Sequence, residues 1–204
     1  IYLLAEMGVE EGVEGMQSYS SWDESYDRNH VCQADYSWNF KGAGSIAHVT
    51  DRYVARNFGA QYAKARRAFE LIDLITEQRN EKKEDGSPVL SKYSILLSTL
   101  SYYFYSYVHA DKPYPRIFPG EAISIINSDR VNYLREINEI ASMAKEASSL
   151  LSEVAANPRC NIKMAKRFLY EVENYLYLAE DYLALFNMMD LADECHGSYC
   201  DSVI

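Results

Sequence analysis

The chain is poor in what most recognisable active sites are built from. Its 204 residues hold only four cysteines and four histidines. Cys32, Cys160, Cys195 and Cys200 form no two-pair zinc spacing, and His196 beside Cys195 has no second histidine at ligand distance. Glycine-rich phosphate loops, paired-histidine metal motifs and nucleophile elbows are absent, so no cofactor or metal is expected. Positive charge is also short: 20 Lys and Arg against 30 Asp and Glu leave a net charge of −10. Phosphate neutralisation needs clustered cations, and the clusters at Lys64–Arg67 and Lys82-Lys83 fall on expected helix surface, which argues against a nucleic-acid partner. No apolar run approaches the roughly 20 residues that span a bilayer, so no membrane partner is expected.

What remains is a normal apolar supply, 48% hydrophobic residues with 25% charged, enough for a sizeable core. The opening, Ile1 to Met7, reads as the end of a helix stopped at Gly8. It starts without Met and is too acidic for a signal peptide, which suits a piece of a longer protein. Gly12 and Gly15 frame a short strand, GMQSYS, and His30 to Trp38 reads as a second strand ending at Asn39. With a polar, aromatic stretch between them, that order follows the grammar of a β/α repeat.

From Thr50 the period turns helical. One helix is expected from a Thr50 or Asp51 cap through Tyr53, Phe58, Phe69 and Ile75 to the charged run near Arg79. A largely buried second helix is expected from Lys92 to His109, dense in tyrosine. Pro113, Pro115 and Pro119 then enforce an irregular connection. A third helix repeats Val131, Leu134, Ile137, Ala141, Ala144, Leu151 and Val154 until Asn157-Pro158, and a fourth runs from about Asn161 to Ala192. The expected fold is therefore mainly α. An antiparallel four-helix bundle over residues 46–204 follows a short α/β segment at 1–45 that looks like the last strands of a (β/α)8 barrel. Cys195 and Cys200 are spaced to close a small C-terminal loop in an oxidising compartment, free thiols being the commoner state.

The chemistry-bearing residues cluster after the two expected strands: Gln17, Tyr19, Trp22, Asp23 and Glu24, then Asp35, Tyr36, Trp38 and Asn39. Aromatic rings cover the flat C–H faces of sugars, while carboxylates and amides take the hydroxyls. Core aromatics at strand period two are the plainer account of Tyr36 and Trp38. Elsewhere, the Tyr102–Tyr107 run reads as bundle core, and the His109-Ala-Asp111 triplet has no accompanying nucleophile.

The segment ADYSWN, Ala34 to Asn39, followed by a long helix, resembles the last barrel strand of retaining β-N-acetylhexosaminidases of the O-GlcNAcase and bacterial hyaluronidase type. Those enzymes also carry a helical bundle after the barrel. The resemblance implies that Asn39 binds substrate hydroxyls, that Trp38 supports the pocket wall, and that Asp35 and Tyr36 are structural. Tyr19, Trp22 and Asp23 would line the same glycan site. The family's catalytic unit is an adjacent Asp pair after an earlier strand, acting with the substrate's acetamido group. No such pair follows a strand here; Asp23-Glu24 comes too late and Glu10-Glu11 reads as a solvated turn. The expectation is the C-terminal, substrate-lining part of a glycoside hydrolase, inactive alone and periplasmic or secreted. The competing expectation is a free-standing, non-catalytic helical interaction module.

Overall fold

The computed structural model describes residues 2–14, 27–77 and 129–201, with side chains as far as residue 191. Among these residues the chain is mainly helical: α1 (Tyr2–Glu10), α2 (Asp27–Ala43), α3 (Ile46–Phe58), a 3₁₀ turn (Gly59–Gln61), α4 (Tyr62–Ile75), α5 (Arg130–Ala155) and α6 (Ile162–Asp201). The expected helix at Lys92–His109, the proline-rich connection and the GMQSYS strand lie outside the described residues. No helix among those described is long and apolar enough to cross a membrane.

The strand expected over His30 to Trp38 is not one; these residues belong to α2. A period of two would put Cys32, Ala34, Tyr36 and Trp38 on one face. In the helix the packed face is instead Cys32, Tyr36, Phe40 and Ala43, set against Tyr2, Ala5 and Val49, while Ala34 and Trp38 face outward. Helical spacing matches the burial and strand spacing does not. The first helix also departs from expectation. It passes through Gly8 and stops at Gly12, whose φ of 71° allows Val13 N–H to reach Gly8 O at 2.8 Å and Gly12 N–H to reach Val9 O at 3.3 Å.

The single long helix expected from Thr50 begins earlier and breaks once. Ser45 caps α3, its hydroxyl accepting the His48 N–H at 3.3 Å. The break at Gly59–Gln61 has a direct cause. The Asn57 carbonyl accepts the Asn161 N–H at 2.8 Å, and the two side-chain amides bond at 3.2 Å. Asn161 also accepts the Met164 N–H at 3.2 Å, so one residue starts α6 and holds the end of α3.

The last two helices carry heptad seams. On α5 the buried apolar positions are Tyr133, Ile137, Ile140, Ala144, Ala147, Leu151 and Val154, alternating steps of four and three. Val131, expected in this stripe, is exposed, and Leu134 and Ala141 are only half-buried. On α6 the expected face is buried from Ala165 to Met189, with Tyr175 half-buried. Residues 156–161 turn the chain, and Arg130 reaches both the Phe186 carbonyl (3.2 Å) and the Asp190 carboxylate, so α5 and α6 run antiparallel. The α6 backbone stays helical through residues 195–200.

Two compact units divide the chain. One comprises residues 1–69 and 149–170, the other 70–148 and 171–204. The core of the first is aromatic, Tyr53, Phe58, Phe69 and Phe168. That of the second is Leu71, Ile72, Ile75, Ile137, Ile140, Val172 and Phe186.

Candidate functional site

Three helices of the first unit surround the candidate site. α3 offers Val49, Arg52, Tyr53 and Arg56, spaced i, i+3, i+4 and i+7 on one face, with Asn57 beside them. α2 offers Asp27, Val31 and Asp35 at intervals of four, and α6 adds Met164. Together they line a cavity of about 500 Å³. Its lining mixes polar and apolar residues, and its volume is within the size range of ligand pockets.

Tyr53 is a buried member of this lining. Its hydroxyl donates to Asp27 Oδ2 at 3.0 Å and lies 2.9 Å from Met164 Sδ. Burial, then the Asp27 carboxylate, push its ionisation well above the usual tyrosine range. The phenol is therefore a fixed donor at physiological pH and orients Asp27. Arg52 and Asp35 pair at 2.8 Å across the rim. Asn57 is fully engaged, donating to the Tyr53 carbonyl at 3.0 Å and accepting from Asn161.

A second recess of about 590 Å³ opens beside the first and shares Asp35 and Arg52 with it. Ala34, Trp38, Asn39, Gly42 and Ala43 complete its lining. Trp38 is 92% exposed, a bare indole on the surface. Asn39 interrupts α2 with φ −155° and ψ 85°, and its Oδ1 accepts the Gly42 N–H at 2.9 Å. Gly42 is required for this: a Cβ there would stand 2.8 Å from Asn39 Cγ. The Asn39 carbonyl oxygen thus restarts the helix, while its NH2 packs against Gly42.

Of the sequence-predicted site, Trp38 and Asn39 meet at this recess with Asp35. Tyr36, in the same motif, turns away into the α1–α2 cluster, 2% exposed. Tyr19, Trp22 and Asp23 lie outside the described residues. Sequence reasoning missed Asp27, Arg52, Tyr53, Arg56 and Asn57. The signal was the pair of arginines four residues apart, flanking the apolar stripe of α3. Burial, the largest influence, pushes the Cys32 thiol ionisation up, which disfavours the thiolate. Among the described residues no cluster of His, Cys, Asp and Glu is arranged to hold a metal ion. Comparison of the chain with family models, curated proteins and solved structures finds no match.

Proposed function

We propose that the chain is a substrate-lining and scaffolding part of a glycoside hydrolase acting on N-acetylhexosamine-type or related glycans, without a complete catalytic set of its own. The observation behind this reading is the Trp38 recess. An exposed indole shares a recess with the Asn39 amide and an Asp–Arg pair, residue types that complement a sugar's C–H face and hydroxyls. The resemblance of ADYSWN to the hexosaminidase motif adds the sugar class. Its barrel-strand placement does not carry over, since α2 is helical where the strand was expected. The reading therefore rests on which side chains meet, and the acid/base carboxylates would be supplied from elsewhere in the parent enzyme.

The chain has two tryptophans, so a Trp22→Phe variant leaves Trp38 as sole reporter. N-acetylglucosamine should then protect its fluorescence from acrylamide quenching. Unchanged quenching at saturating sugar would remove Trp38 from any sugar site.

A second reading has its own observation. Leu3, Leu4, Met7 and Val9 of α1 are exposed. Clustered exposed apolar residues mark protein contacts, as a non-catalytic interaction module would need. Under that reading Trp38 ignores sugars.

A further inference from the structure

The α3 cavity has a chemistry that the Trp38 recess alone does not explain. Arg52 and Arg56 sit one helical turn apart, an arrangement of like charges that disfavours a helix. The helix dipole favours a cation near the C-terminus of α3 but does not choose the face it occupies. Both arginines nonetheless belong to the lining of the cavity. Asp35 engages Arg52, and Asp27 accepts the Tyr53 hydroxyl. Among the described residues Arg56 has no ion pair or hydrogen bond. The open capacity of this lining is thus the Arg56 guanidinium, in the same cavity as a carboxylate held by Tyr53. A ligand that satisfies both carries an anionic group for Arg56 and a hydroxyl for Asp27. An amine would meet carboxylates already engaged by a guanidinium and a phenol.

The shared wall fixes where that ligand lies. Asp35 and Arg52 border both recesses, so a molecule stacked on Trp38 abuts an ion pair that also belongs to the lining with Arg56. We propose that the Asp27–Arg56 cavity is a second ligand subsite, contiguous with the Trp38 recess, that takes the carboxylate or sulfate substituent of an acidic sugar. This rests on the reading of the Trp38 recess as a sugar site. A charge-assisted bond to guanidinium is worth about tenfold in affinity over a hydroxymethyl group at the same place.

The test is an NMR titration of the chain with glucose, glucuronate and glucose 6-sulfate, which share a ring and differ at C6. The inference expects the two anions to bind about tenfold more tightly than glucose, with the Arg56 Nε–H resonance shifting only for them. The stronger of the two identifies carboxylate or sulfate as the preferred group. Arg56→Ala should abolish the preference, so that glucose and both anions bind alike, and Arg56→Lys should retain part of it. Equal binding of all three, or a preference that survives Arg56→Ala, would overturn the subsite. The underlying sugar reading fails by a different signature, a Trp38 indole N–H that glucose and both anions leave unmoved.

Discussion

Two aromatic clusters in the first unit have nearly the same ring geometry and very different surroundings. Around Phe69, the rings of Tyr53, Phe58 and Phe168 lie 5.8, 6.0 and 4.6 Å away. Around Tyr36, the rings of Tyr2 and Phe40 lie 5.4 and 5.6 Å away. Phe69 and Phe58 are wholly buried, and the one hydroxyl among these rings, that of Tyr53, is bonded to Asp27. In the other cluster Tyr2 and Phe40 are only partly covered, and the buried Tyr36 hydroxyl has no partner. Edge-to-face rings alone do not make a core. The Phe69 group draws on α3, α4 and α6, while the Tyr36 group is closed by short-range neighbours from residues 2–49 and forms a thin layer. The candidate site lies where α2 carries Tyr36 on one face and Asp27, Val31 and Asp35 on another.

The largest test of this contrast is Phe69→Ala. Loss of a wholly buried ring touching three others, with Arg28 stacked 5.2 Å above it, should cost about 3–5 kcal/mol in denaturant unfolding. Phe40→Ala, at a partly covered ring, should cost clearly less. Equal costs would show the Tyr36 layer to be as well packed as the core.

Tyr53→Phe comes next. It removes a hydrogen bond to a carboxylate, worth about 1.5–3 kcal/mol, less what Asp27 regains from water at the cavity wall. It also changes the alkaline limb of stability. The folded-state ionisation of Tyr53 lies above that of the unfolded chain, near 10. Its contribution is therefore complete below about pH 10 and lost as pH rises beyond it. The variant should lose stability less steeply above pH 10 than the parent. An identical slope would show that Tyr53 has the same affinity for its proton folded and unfolded.

Tyr36→Phe should act in the opposite direction. A buried hydroxyl without a partner costs about 1–3 kcal/mol, so its removal should be neutral or stabilising by up to roughly 1 kcal/mol once packing is counted. A loss of stability would mean the hydroxyl is hydrogen-bonded in solution, and the thin layer wetter and more ordered than a bare cluster.

The legibility of this molecule follows the same division. Helices whose apolar residues keep one period over many turns were readable. The α6 face from Ala165 to Met189 and the stop at Asn157-Pro158 are where the sequence puts them. The α5 seam was mislocated at its start because Val131, a good apolar residue, sits one step off the true heptad that begins at Tyr133. α2 was misread altogether. Its Cys32, Tyr36 and Phe40 fit a four-residue step, yet Tyr36 and Trp38 also fit a two-residue one, and β-favouring aromatics tipped the balance. The break after Phe58 could not be seen locally, since it depends on Asn161, more than a hundred residues along the chain. For the site, Trp38 and Asn39 were visible as types in a motif. Asp27, Tyr53 and Arg56 become a site only through a helix pairing that no motif encodes.

The smallest effect tests the wall between the two recesses. Arg52 and Asp35 are 50% and 38% exposed, so their 2.8 Å pair should contribute no more than about 1 kcal/mol to stability. A double-mutant cycle of Arg52→Ala and Asp35→Ala should return a coupling within that limit and shrinking at high salt, because exposed charges are screened. If the pair serves the ligand rather than the fold, its effects should separate. Arg52→Ala would leave the unfolding midpoint nearly unchanged yet weaken sugar binding at both recesses, because the residue borders both. A coupling well above 1 kcal/mol would make the ion pair a structural clamp between α2 and α3. The candidate cleft would then be a seam held shut, and the comparison of the two clusters would extend to a third, polar contact that binds the thin layer to the core.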